Sequence, residues 1–300
     1  MSMVGLIGFG TMGSKAAEKI LHAGHSLRIY DANPAAGEKA STLGAKRAPS
    51  PREVARQADM VLLFLPGPKE VEGCVAGIEG LLAGSHPGLV IVDMSTVDPA
   101  STRRMNELAF KKGVGYLDAP VLGRPASIGN WALPVGGEAS ALESCRPILE
   151  LLAAKIYHVG PSGSGNKVKL LNQLMFGAIN AITAEMMAIA DQMGIPPGLL
   201  YEIIITSGAA TVSNLFKELG HRISTEDYTD PTFTVDLLVK DVRLAAQMAR
   251  ESQTPPVLTR TVELINEIAQ AQGLGNLDTS IMWKAYQGFW EKNRKKEEAS

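Results

Sequence analysis

Val4-Gly5-Leu6-Ile7-Gly8-Phe9-Gly10-Thr11-Met12-Gly13 opens the chain and decides its fold. Val4–Gly8 is apolar on both faces, as a buried parallel strand should be. Thr11–Ala23 then reads as a helix stopped by Gly24. Between them stand three glycines at the spacing Gly8-x-Gly10-x-x-Gly13. The first permits a tight turn. The second lets the backbone approach a pyrophosphate, and the third lets helix and strand pack closely. The helix N-terminus offers unpaired N–H groups and a positive dipole end to phosphates. Gly8, Phe9, Gly10, Thr11, Met12 and Gly13 are therefore candidates for binding a dinucleotide. A glycine turn without a ligand is the other reading; the strand before it and the helix after it argue against that.

Ser26–Tyr30 is the next strand, and Asp31 closes it about twenty residues past the glycines. A carboxylate there accepts hydrogen bonds from adenosine ribose hydroxyls and repels a 2′-phosphate. Ala32-Asn33-Pro34 brings no arginine to hold such a phosphate, and Arg28 lies back within the strand. The expected cofactor is NAD, with NADP less favoured; a turn-forming aspartate is the alternative role for Asp31.

Outward from this turn, strands and helices alternate. Helices are expected over Ala35–Leu43, Pro51–Gln57, Pro68–Val75 and Pro99–Lys112. Strands are expected near Lys46–Ala48 and over Met60–Leu65, Leu89–Val92 and Gly115–Asp118. The alternation predicts an α/β, doubly wound and mainly parallel sheet, a Rossmann domain over residues 1–161. From Gly165 the pattern is helical almost to the end, beginning with a long apolar helix over Asn166–Met193. Helices around Pro197–Ile205, Thr234–Arg250 and Val257–Gln272 follow. An all-α domain for substrate and oligomer contacts is expected over 162–300. The boundary is placed near Pro161, in the Gly/Ser/Pro-rich stretch His158–Gly165.

Bulk properties exclude several classes. Of 300 residues, 45% are hydrophobic and 20% charged, an ordinary globular balance. With 29 basic against 31 acidic side chains, nucleic-acid binding has no electrostatic support. The only dense charge run, Lys292–Glu298, reads as a solvated tail. Cys74 and Cys145 form neither a disulfide framework nor a metal-ligand pattern, so no metal is expected. No signal peptide is evident and no apolar run reads as a membrane span, so a cytoplasmic location is expected, with no membrane partner.

Five segments, in this order, resemble the β-hydroxyacid dehydrogenase family, which includes 3-hydroxyisobutyrate dehydrogenases. They are Leu6–Gly13, Asp93-Met94-Ser95-Thr96-Val97-Asp98-Pro99, Asp118-Ala119-Pro120-Val121, Gly163–Asn172 and Lys240-Asp241. The resemblance covers nearly the whole chain. It implies an oxidoreductase that interconverts a small β-hydroxy acid and its semialdehyde. Phe64-Leu65-Pro66 is implied to lie beside the cofactor, and Ser95-Thr96 to touch the nicotinamide ribose and ring, with Thr96 also meeting substrate. Lys169 matches the catalytic lysine; burial in an apolar helix would lower its pKa toward acid–base work, although a lysine snorkelling from a buried helix is the plainer reading. Lys167 is the competing lysine, on a nearly opposite face. Asn172 and Gln173, three and four residues beyond Lys169, share its face and are implied to orient it or the substrate. The family commonly has two asparagines there.

The family's Ser-Gly-Gly after Asp-Ala-Pro-Val is here Leu122-Gly123-Arg124. The serine hydroxyl is lost. Gly123 still allows close backbone approach, and Arg124 either grips an anion in its place or is a surface arginine. Trp131, in the loop that follows, is expected to narrow the pocket. Phe233 also matches a substrate-side position. Lys240 resembles a residue that closes over the cofactor, with Asp241 as its neighbour; a helix-surface ion pair is the alternative. Sulfolactaldehyde, succinic semialdehyde or glyoxylate reduction are the alternative activities, and a non-catalytic nucleotide-binding module is the alternative class. Lys169 argues against imine reduction. The apolar helix implies a homodimer or homotetramer.

Overall fold

The computed structural model describes residues 2–207, 213–228, 230–253 and 255–287. The tail Lys292–Glu298 lies outside the described residues. The chain divides after Lys169 into two compact units.

The first unit carries the strands β1 (Met3–Ile7), β2 (Ser26–Tyr30), β3 (Lys46–Arg47), β4 (Met60–Leu63), β5 (Val90–Asp93), β6 (Gly115–Asp118), β7 (Trp131–Gly136) and β8 (Ala153–Gly160). Between them run α1 (Thr11–His22), α2 (Pro34–Thr42), α3 (Pro51–Ala55), α4 (Pro68–Ala76), α5 (Leu81–Gly84), α6 (Pro99–Phe110) and α7 (Ala139–Leu152). The sheet order is β3-β2-β1-β4-β5-β6-β7-β8. All neighbours are parallel except β6 and β7. The order reverses between β1 and β4, and a doubly wound sheet binds its ligand outside the strand ends at that switch point.

Period-two alternation builds the two faces. Leu6, Leu62 and Val92 join Ala16 and Ile20 of α1 and Leu149 of α7 on one side. Ile7, Leu63 and Ile91 join Val54 of α3, Val71 of α4 and Met105 of α6 on the other. Local signals set the helix starts. Asn33 Oδ1 accepts from Ala35 N–H, Ser50 Oγ from Glu53 N–H and Asp98 Oδ1 from Ser101 N–H, each with proline in the first turn.

The run from β7 to β8 was not legible from pattern. Trp131 does not narrow a pocket from a loop: it begins β7 and is fully buried (0% exposed) in the core. Its bulk is spent on packing against Leu133, Val135 and α7. β8 has mostly exposed residues and so lacks the alternation that marks a strand.

The second unit consists of the rest of α8 (Ser164–Gln192) with α9 (Pro197–Thr206), α10 (Asn214–Thr225), α11 (Val235–Glu251) and α12 (Val257–Ala271). α10 was not singled out in the sequence. Along α8, Leu170, Ala181, Ala184 and Met187 are buried, while Leu171, Met175, Ile182, Ile189 and Met193 just beyond its end are more than half exposed. The helix expected to be apolar all round is thus split into a core-facing row and an open apolar row. By length and composition α8 is long and apolar enough to cross a membrane, which corrects the reading that no segment is. Half of the qualifying stretch is buried within the protein, however, as in the core helix of a folded domain. Contiguous apolar runs are broken by Asn180, Thr183 and Glu185, so the stretch escaped notice in the sequence.

Candidate functional site

The glycine turn stands at the switch point. Gly8 adopts φ +92°, where a side chain is strained, and a Cβ there would stand 2.2 Å from Phe64 O. A Cβ on Gly13 would stand 2.0 Å from Gly8 O, so helix and strand touch backbone to backbone. Gly10 differs: nothing lies within 4 Å of where its Cβ would be. No side chain caps α1, and its first turn has no acidic residue. An open glycine beside an uncapped helix start fits a pyrophosphate. Thr11 and Gly10 are exposed there, and Met12 is half-buried.

Asp31 locks this turn from the end of β2. Its Oδ2 accepts from Phe9 N–H at 2.7 Å and its Oδ1 from Asn33 N–H at 2.7 Å. Each oxygen retains a further lone pair for a ribose hydroxyl.

The turns after β4 and β5 are bonded to each other. Ser95 is buried, and its Oγ accepts from Leu65 N–H at 2.9 Å. Its hydroxyl therefore serves the turn. Thr96 beside it and Leu65 are half-buried, and Pro66 is exposed. Asp93 holds this turn to the sheet: Oδ1 accepts from Ser95 N–H at 3.0 Å and Oδ2 from Tyr116 Oη at 3.0 Å. Burial pushes the Asp93 carboxyl up to about 6, and the neighbouring Asp118 charge adds to the rise.

The start of α8 meets the end of β6. Asp118 Oδ1 accepts from Gly163 N–H at 2.8 Å and Oδ2 from Asn166 N–H at 2.9 Å. Burial also pushes Asp118 up to about 6, although backbone N–H groups pull against it. Asn166 Oδ1 accepts from Val97 N–H at 3.2 Å. Lys169, half-buried, donates from Nζ to Val121 O at 2.9 Å, whereas Lys167 is exposed. The start of α8, which carries Lys169, is thus bonded both to the turn after β5 and to the end of β6.

In the Leu122–Arg124 loop, Leu122 pairs with Ala132 through both backbone groups, at 2.9 and 3.0 Å. A Cβ on exposed Gly123 would stand 2.4 Å from Trp131 Cδ1, so the glycine makes room for that indole. Arg124 N–H donates to Ser127 Oγ at 3.1 Å, and Arg124 O accepts from Trp131 Nε1 at 2.8 Å. The Arg124 backbone is therefore spent on its own loop.

In the second unit, Gln173 is buried and donates from Nε2 to Asp241 Oδ2 at 2.6 Å, while its Oε1 accepts from exposed Asn172 Nδ2 at 3.3 Å. Both ends of the Gln173 amide are taken within the helical unit. Lys240 Nζ lies 2.9 Å from Asp241 Oδ1, an ion pair between neighbours on α11. Phe233 packs edge-on against Phe176, ring centres 5.3 Å apart.

Sequence reasoning did not assign Asp93, Asp118, Asn166 or Tyr116 any role. Asp93, Asp118 and Asn166 stand inside the family-like segments, but nothing local signals the bond of Asp93 across 23 residues or those of Asp118 and Asn166 across 45 to 69. Among the described residues no cluster of histidine, cysteine, aspartate and glutamate could hold a metal.

Sheet order, switch point and glycine turn define a nicotinamide-dinucleotide-binding dehydrogenase. Residues 3–160 match the NAD-binding domain of 6-phosphogluconate dehydrogenase, and residues 163–286 match the NAD-binding domain of NADP-dependent 3-hydroxyisobutyrate dehydrogenase. The chain is 32% identical to a 2-(hydroxymethyl)glutarate dehydrogenase of Eubacterium barkeri, covering 95% of this chain and 94% of that one. It is 32% identical to an NAD-dependent L-serine dehydrogenase of Pseudomonas aeruginosa, covering 95% and 98%. The crystal structure of a 3-hydroxyisobutyrate dehydrogenase from Salmonella typhimurium superposes with a TM-score of 0.87 at 30% identity, covering 95% and 99%. The chain belongs to the β-hydroxyacid dehydrogenase family, NAD(P)-dependent oxidoreductases acting on a CH–OH group.

Proposed function

We propose that this chain interconverts a small β-hydroxy acid and its semialdehyde with NAD, as a 3-hydroxyisobutyrate dehydrogenase-like enzyme. The observation that carries the reading is the Lys169 amine, held 2.9 Å from Val121 O where α8 is bonded to the Ser95–Val97 turn. Gly8, Phe9, Gly10, Thr11, Met12 and Gly13 would hold the pyrophosphate, and Asp31 the adenosine ribose. Leu65, Pro66, Ser95 and Thr96 would flank the nicotinamide half, and Lys240 is the cofactor contact assigned to the second unit. The bound nicotinamide supplies the hydride acceptor or donor. Lys169 Nζ takes the hydroxyl proton in oxidation and returns it in reduction, so a neutral amine is needed for the forward step. Asn172, on the same side of α8, orients the hydroxyl. Gly123, Leu122 and the Arg124 guanidinium receive the anionic end, with Gln173 and Phe233 as the remaining substrate-side residues.

The relatives support the substrate class. 2-(Hydroxymethyl)glutarate, L-serine and 3-hydroxyisobutyrate each carry a carboxylate with a hydroxyl on the β-carbon. One observation favours a second reading: Leu122 stands where the family has a serine and Arg124 where it has a glycine, so a hydroxyl is lost from this loop and a guanidinium enters it. Its planar fork suits a larger oxyanion, such as a sulfonate or a second carboxylate. The open apolar row of α8 supports a homodimer or homotetramer, since a patch of that kind marks an interaction surface. We read the location as cytoplasmic.

The test is initial rate with 3-hydroxyisobutyrate, L-serine, glycerate, 4-hydroxybutyrate, succinic semialdehyde and a sulfonate, each with NAD(H) and NADP(H). A carboxylate preference with NAD is expected. Preference for NADP removes the Asp31 argument, and preference for the sulfonate makes the second reading the leading one. Lys169→Ala is expected to lower turnover on the order of 10²–10⁴-fold, with NADH binding retained. Near-normal turnover in that variant overturns the proposal.

A further inference from the structure

The proton-transfer scheme leaves the Asp118 carboxylate without a task, yet it is completely buried and doubly bonded. Its partners are the N–H of Gly163, just before α8, and of Asn166, the third residue of α8. A helix leaves its first N–H groups unpaired, and a side chain immediately before it normally accepts from them. Here the acceptor comes from the end of β6, 45 and 48 residues earlier. A carboxylate so placed also meets the positive end of a 29-residue helix. Glycines make room for it on both sides. A Cβ on Gly136 would stand 2.5 Å from Asp118 Oδ1, and one on Gly165 would stand 2.5 Å from Asp118 O.

Asn166 carries the connection onward. Its Oδ1 accepts from Val97 N–H at 3.2 Å, and its Nδ2 donates to Thr102 Oγ1 of α6 at 3.2 Å. Lys169 follows three residues later, and its Nζ returns to Val121 O, three residues beyond Asp118. The end of β6, the start of α8 and the turn after β5 therefore form one bonded ring with Asp118 at its base.

We propose that Asp118, acting through Asn166, is the positioning residue that fixes the Lys169 amine relative to the Ser95-Thr96 turn. The inference rests on the reading of Lys169 as the proton-transfer group. Two charge-assisted bonds hold the helix start more tightly than neutral ones would. A displacement of about 1 Å at the reacting group costs on the order of 10²-fold in rate.

Asp118→Asn tests it. The amide has one acceptor oxygen, so one of the two N–H groups faces an NH₂ instead. Turnover is expected to fall on the order of 10- to 100-fold, while NADH affinity, read by its fluorescence, and KM for NAD stay within about twofold. Thr102→Val keeps the shape, removes the acceptor of Asn166 Nδ2, and does not depend on tolerance at Asp118. It is expected to lower kcat about threefold or more with NADH affinity again unchanged. If kcat is normal in both variants, or if NADH affinity and thermal midpoint fall in step with kcat, the positioning role is overturned. Lys169→Ala in the same assay separates the two levels. Activity retained there removes the underlying reading, whereas its loss beside a normal Asp118→Asn and Thr102→Val overturns only this inference.

Discussion

The glycine turn after β1 and the clamp at the start of α8 lie in the same unit and are built by opposite means. The first is backbone against backbone: Gly8 against Phe64 O, and Gly13 against Gly8 O. The second is side chain against backbone: Asp118 on Gly163 and Asn166, Asn166 on Val97, and Lys169 on Val121. A cradle for phosphate needs room and free N–H groups, which missing side chains provide. Placing the proposed proton-transfer group would need fixed distances between distant segments, which buried side-chain bonds provide.

This contrast can be broken by substitution. Lys169→Ala carries the largest expected effect, the loss of turnover already described, and it should leave thermal stability close to that of the wild type. Gly13→Ala should come next. Its Cβ meets a carbonyl oxygen that cannot move cheaply, so a loss of about 3 kcal/mol is expected. That corresponds to roughly 6–12 °C in a thermal melt; an unchanged midpoint would mean that α1 and β1 do not touch as described. Gly10→Ala sharpens the comparison from the other side. With nothing within 4 Å of the added methyl, the melt should not move, but NADH affinity should fall about tenfold, ~1.4 kcal/mol. An unchanged dissociation constant would show that the pyrophosphate does not approach this glycine.

The smallest expected effect is a pH dependence in the buried carboxyls. Asp93 and Asp118 are each raised from 3.8 to about 6 by burial. The folded state then binds more protons than the unfolded one between about pH 4 and 6. These groups therefore contribute stability at low pH that is lost as pH rises through that window. The groups facing Asp93 are Tyr116, Ser95 and Asp118. Asp93→Asn cannot charge, so its melting temperature relative to wild type should rise by a few degrees from pH 4 to pH 6 and stay level above. A difference that is flat with pH would show that Asp93 titrates as an ordinary exposed carboxyl does.

The same contrast explains what could be read from the sequence. Gly8, Gly10 and Gly13 stand close together between a strand and a helix, so their spacing exposed the turn, and the strand–helix alternation exposed the parallel, doubly wound sheet; the approach of Phe64 O to Gly8 and the order of the strands were not visible there. Lys169 was legible only through resemblance, because an isolated lysine in an apolar helix has a plain alternative. Asp118 and Asn166 were not legible, since their partners lie tens of residues away and nothing in the intervening sequence announces them. Trp131 was misplaced for a related reason. Its strand pairs antiparallel to β6 and parallel to β8, a departure from the repeating strand–helix pattern that anticipates each preceding element. The use of the Arg124 N–H was not visible either: Ser127, three residues on, accepts from it.

Trp131 also gives the loop an optical handle. Its ring is sealed in apolar surroundings while its N–H holds the Arg124 carbonyl, so its emission should lie at the blue end of the indole range. Any rearrangement of residues 122–127 that breaks this bond or admits water to the ring will shift or quench that emission. Trp131 thus places an intrinsic fluorophore against residues 122–127, and its share of the emission of the chain's three tryptophans, isolated by comparison with Trp131→Phe, reports on that loop without a label.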